Sequence, residues 1–160
     1  MNGFESWSYG FSSELGIERN IMSAIVVGTD HSPQARAAVE KAASMARLYA
    51  VPLHIVTAVR RGQVKEYGSG ADHWEFDNVG LAKRALGALA TEFDSTVTVT
   101  TAALDTNPVT ALCGEATRLH ALVIVVGNKR VQGVSRVLGS VARGVTKSAP
   151  CDVLVVNTRG

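Results

Sequence analysis

Two short stretches carry residue types that could do chemistry. One is GTD, residues 28 to 30, at the end of the apolar run that begins AIVV. The other is GNKRVQGVSRVLGS, residues 127 to 140, which follows ALVIVV and precedes VARGVTKSAPCDVLVV. Gly127 lets the backbone turn and approach a ligand closely. Gly139 and Ser140 stand at the start of a helix, where unpaired N–H groups and the helix dipole favour an anion. Ser140 adds a hydroxyl, and Lys129, Arg130 and Arg136 supply cations for charge-assisted bonds to phosphate. Asp30, next to Thr29, offers an acceptor for a ribose hydroxyl or a base edge. Together these read as a nucleotide site with an acceptor at one end and donors at the other. The plainer reading of the same residues is a glycine-bearing loop with Ser140 as an ordinary helix cap. Neither a Walker A loop nor a dinucleotide fingerprint is present.

The surrounding sequence must position these groups. AIVVG, 24–28, reads as a buried strand. Ser32 can cap a helix whose first residue is Pro33, and Ala35, Ala38, Val39, Ala42, Met45, Ala46 and Tyr49 recur at helical spacing. PLHIVTAV, 52–59, is a second strand, and 60–73 is a long polar connection. Val79, Ala82, Leu86, Leu89 and Phe93 mark a second helix. TVTVTTAA, 96–103, alternates as a more exposed strand does. Asn107 and Pro108 repeat the cap-then-proline device before a third helix. ALVIVV, 121–126, a helix over about 140–147, and CDVLVVN, 151–157, complete the chain. Apolar strands alternating with amphipathic helices predict a doubly wound α/β fold, with a parallel sheet covered on both faces. Ligands of such sheets bind beyond the carboxyl ends of the strands, at the switch point. Strands one and four must therefore be neighbours for GTD and the 127–140 segment to share a cleft.

With these residues in view, VVGTDHSPQARAAVEKAASMA resembles the opening of the universal stress protein family. VIVVGNKRVQGVSRVLGSVARGVTKSAPCDVLVV is similar to its closing half. The resemblance spans about residues 22 to 157. It implies a Rossmann-like five-stranded parallel sheet in the order 3-2-1-4-5, a homodimer, and binding of an adenine nucleotide: ATP first, with ADP, AMP or cyclic AMP as alternatives. The family motif is G-x-x-G, about nine residues, then G-[ST]. Gly127, Gly139 and Ser140 match it, whereas Arg130 stands at the second glycine and the interval is one residue shorter. A carboxylate resembling Asp30 contacts the nucleoside in that family, and Thr29, Val126, Lys129 and Val141 fall at pocket positions. Arg130 either reaches the phosphate through its side chain or fills the pocket. The alternative function is therefore a dimeric stress-response interaction protein that binds no nucleotide.

Other chemistry finds little support. No nucleophile is placed against His31, and no HExxH or Cys/His spacing calls for a metal. Asp30 is the one carboxylate expected near the cleft, so binding with negligible turnover, at most a slow ATPase, is the expectation. Cys113 and Cys151 are expected to be reduced thiols in a cytoplasmic protein. The 160-residue chain is 46% hydrophobic and 19% charged with a net charge of +2, which suits one globular domain and gives no case for nucleic acid. No run reaches the roughly 18 apolar residues of a membrane helix. Residues 1–21 read as a flexible N-terminal extension ahead of a 22–160 domain. DVLVV, 152–156, would lie at a sheet edge and invite pairing with a second copy.

Overall fold

The computed structural model describes residues 23–59, 78–93, 95, 97–128 and 138–157. These form β1 (Ile25–Gly28), α1 (Pro33–Tyr49), β2 (Leu53–Val59), α2 (Asn78–Ala90), β3 (Val99–Asp105), α3 (Pro108–Arg118), β4 (Val123–Asn128), α4 (Ser140–Ser148) and β5 (Asp152–Asn157). The strands make one parallel sheet in the order β3-β2-β1-β4-β5, with Ile25 opposite both Leu53 and Val123. The α/β fold stands as the alternation of strands and helices predicted, and the 3-2-1-4-5 order as the family resemblance implied.

Period-two alternation divides the strands between two cores. Ile25, Val27, Leu53, Ile55 and Val125 pack with α1 and α2, where Ala38, Val39, Ala42 and Leu86 are buried. Val26, Val56, Ile124 and Val126 face the other way, against Ala111, Leu112, Ala116, Ala142 and Val145 of α3 and α4. Burial on both faces is why β1 and β4 are unbroken apolar runs. The alanine face of α1 brings that helix close to the sheet. On the other side Gly144 brings α4 onto α3: a Cβ at this position would stand 2.6 Å from Val109 Cγ2.

The caps at Ser32 and Asn107 form as expected. Ser32 Oγ accepts from the Ala35 amide, Asn107 Oδ1 accepts from Thr110, and a proline follows each. Several boundaries shift. β3 runs Val99–Asp105, later than its alternation suggested, and β4 runs two residues past its apolar stretch, to Asn128. The apolar run reports burial, whereas the ladder continues wherever a neighbour offers partners; β5 pairs Gly127 with Val156 and Asn128 with Asn157. Gly127 is therefore still in the sheet, and the chain leaves it only after Asn128. Tyr49, expected on the inner face of α1, is 57% exposed at the tip of the helix, where Ala50 turns left-handed at φ 53°.

Candidate functional site

β1 and β4 are adjacent, so GTD and the chain around Gly127 and Gly139 do share a cleft. It opens at the carboxyl ends of the strands and encloses about 440 Å³. Thr29, Asp30, Val126, Gly127, Gly139, Ser140 and Val141 all line it. Lys129 and Arg130, the remaining expected site residues, lie outside the described residues, as does Arg136.

Asp30 is exposed at one wall, and its Oδ1 accepts from the Ser32 amide at 3.1 Å. This short loop bond orients the carboxylate towards the start of α1. Thr29 is buried and fixes the turn. Its amide donates to Val56 O, its Oγ1 accepts from the His31 amide at 3.1 Å, and its carbonyl accepts from Thr57 Oγ1 at 2.9 Å. His31 follows at φ 61°, a left-handed conformation that costs a non-glycine residue about 1 kcal/mol. Its Nε2 lies 3.4 Å from Thr57 Oγ1. Thr57 alternates with the cleft-lining Val56 and Ala58, so the contact draws the imidazole to the other side of β2. His31 is a loop histidine.

Three helices point their N-termini at the cleft: α1 through Ser32 and Ala35, α3 through Pro108 and Ala111, and α4 through Gly139 to Ala142. The first two are capped by their own Ser32 and Asn107 side chains. α4 is not. Its cap residue is Gly139, Ser140 is its first helical residue, and no capping side-chain bond of its own forms. The plain-cap reading of Ser140 therefore does not hold. The helix ladder starts only with Arg143 N–H to Gly139 O, which leaves the amides of residues 139 to 142 with no intrahelical acceptor. The Gly139 amide instead donates to Asn128 Oδ1 at 3.3 Å. The floor is apolar, made by Val56, Ala58 and Leu112, and Leu112 Cδ1 would sit 3.1 Å from a Cβ at Gly28. This is a cleft with an acceptor on one wall, amide donors on the other and apolar surface between.

Sequence reasoning missed the β2 and α3 walls, although the alternation of β2 could have placed Val56 and Ala58 together. It also passed over His54. That side chain is 3% exposed; its Nδ1 lies 2.7 Å from Thr100 Oγ1 and its Nε2 2.7 Å from Glu115 Oε2. Burial lowers the His54 pKa below its usual 6.5, against the pull of Glu115. Glu115 is itself held below the usual carboxylate range, chiefly by its hydrogen bond to Arg118 and further by His54. The pair lies one helical turn from the cleft residues of α3 and does not line the cleft. Cys113 and Cys151 are free thiols, and burial raises the pKa of each. Both are thereby poor nucleophiles at neutral pH. Among the described residues no group of three His, Cys, Asp or Glu side chains could hold a metal ion, and no helix is long and apolar enough to cross a membrane.

The universal stress protein family model matches residues 22–157. The chain belongs to the universal stress protein family. Solved structures of universal stress proteins share its fold. One from Archaeoglobus fulgidus is 25% identical at a TM-score of 0.69, over 84% of this chain and 98% of that one. A universal stress protein in complex with cAMP is 24% identical at 0.60, over 86% and 98% of the two chains. A universal stress protein from Archaeoglobus fulgidus in complex with dAMP is 24% identical at 0.64, over 86% and 99%. No curated protein matches the chain.

Proposed function

We propose that this universal stress protein binds an adenine nucleotide in the cleft between β1 and β4 and holds it without appreciable turnover. The observation that carries this reading is the pairing of Asp30 on one wall with the uncapped N-terminus of α4 on the other. Asp30 accepts from a ribose hydroxyl, the apolar floor takes the base, and the amides of Ser140 and Val141 with the Ser140 hydroxyl meet phosphate. Solved members of the family in complex with cAMP and with dAMP support the ligand class. ATP is the first ligand to test, followed by ADP, AMP and cyclic AMP. Negligible turnover follows from the shortage of groups to position water or a magnesium ion: Asp30 is the one carboxylate among the residues lining the described cleft. Calorimetric titration of the purified protein with these nucleotides tests the reading.

The surrounding proposal is a cytoplasmic stress-response regulator, with residues 22–160 as its domain and 1–21 as an extension. It is a homodimer joined through β5, an edge strand whose apolar core VLVV is half-buried. A second reading, an interaction protein that takes no nucleotide, is favoured by Arg130 at the motif glycine. Arg130→Gly separates the two. On the second reading the substitution creates ATP binding, whereas equal binding by wild type and variant removes the case for it.

A further inference from the structure

We infer that Asn128 is a specificity-determining residue of this cleft, because its side chain holds the Gly139 N–H that would otherwise face a ligand phosphate. The inference rests on the nucleotide reading above and adds to it which residue sets the site's grip on phosphate.

Four amides at the start of α4 have no intrahelical acceptor, and residues 139 to 142 all line the cleft. Such amides are what a phosphate seeks at a helix N-terminus. The structure satisfies the first of them internally, with Gly139 N–H donating to Asn128 Oδ1 at 3.3 Å. The chemistry fixes the orientation of the Asn128 amide, since a backbone N–H can only donate and the side-chain carbonyl must be the acceptor. Asn128 reaches this position because β4 extends one residue beyond Gly127 and pairs Asn128 with Asn157. A Cβ at Gly139 would stand 3.9 Å from Oδ1, an ordinary contact, so the bond does not depend on the glycine. A neutral carbonyl oxygen thus occupies one of the donors that an anionic phosphate oxygen would use. A phosphate must either displace it or do with Ser140 and Val141. A ligand without phosphate is indifferent to the exchange.

Two substitutions separate this role from a structural one. Asn128→Ala frees the Gly139 amide. Asn128→Asp keeps an acceptor on that amide, more strongly held, and adds a negative charge where phosphate arrives. The probes are adenosine and adenosine 5′-monophosphate, titrated calorimetrically into the full chain and both variants. We expect Asn128→Ala to bind the monophosphate about tenfold more tightly, and Asn128→Asp to bind it about tenfold more weakly, the worth of one hydrogen bond to a charged group. Adenosine affinity should stay the same in all three proteins, which also reports that the cleft is folded. Parallel changes for both probes would mean that Asn128 merely supports the fold, and the inference fails. It fails equally if neither variant shifts the monophosphate, or if Asn128→Ala weakens it. If wild type binds neither probe the inference fails, and if it binds no other adenine nucleotide either, the nucleotide reading fails with it.

Discussion

His54 Nε2 lies 2.7 Å from Glu115 Oε2, joining the start of β2 to α3. Depressed in pKa by burial, the imidazole is neutral at pH 7.5: Nε2–H donates to the carboxylate and Nδ1 accepts from the Thr100 hydroxyl. In the unfolded chain His54 returns to about 6.5 and binds a proton more readily. The unfolded state thus holds more protons below that value, and stability is lost as pH falls through the folded pKa of His54. Glu115, also depressed, adds a second loss below about 4.5. The urea midpoint should fall between pH 7.5 and 5.5, and His54→Phe should show a flatter dependence over that interval. Equal slopes in the two proteins would exclude His54 as the group responsible.

Truncating one partner of this pair should also cost stability at neutral pH. Glu115→Ala leaves the buried His54 N–H without its acceptor, at a cost of about 1–3 kcal/mol in urea unfolding. Arg118→Ala, which removes only an exposed partner of Glu115, should cost under about 1 kcal/mol.

Gly144→Ala should destabilise the protein by about 1–3 kcal/mol, because the new methyl meets Val109 across the α3–α4 contact. Val109→Ala in the same chain should recover part of that loss, as expected for residues in direct contact. Additive losses in the double variant would show that the two side chains do not collide.

The architecture was legible because the central strands are buried on both faces and two of the helices begin with explicit signals. Ser32-Pro33 and Asn107-Pro108 announce α1 and α3, and the apolar runs at β1 and β4 can only be central strands. Boundaries were less legible where pairing, not burial, sets them, as at Asn128. The candidate site was legible where spacing marks it: Asp30 after β1, and Gly139-Ser140 before α4. Val56 and Leu112 were not, since they reach the cleft only through the crossing of β2 and α3 beneath it. His54 and Glu115 stand 61 positions apart, and no local pattern couples them.

β5 supplies a test of assembly. Sedimentation at micromolar concentration should give about twice the 16.9 kDa chain mass. Val155→Pro, which removes a backbone donor from the edge strand, should shift the mass to the monomer while the circular dichroism spectrum is retained. A wild-type species at the chain mass alone would reject the β5 dimer.

The most direct measurement is calorimetric titration of the folded wild-type protein with ATP and the other adenine nucleotides, alongside Asp30→Ala. Saturable binding of at least one nucleotide is predicted, weakened about tenfold or more when the Asp30 carboxylate is removed. No binding of any adenine nucleotide at millimolar concentration, or binding that ignores the loss of Asp30, would contradict it.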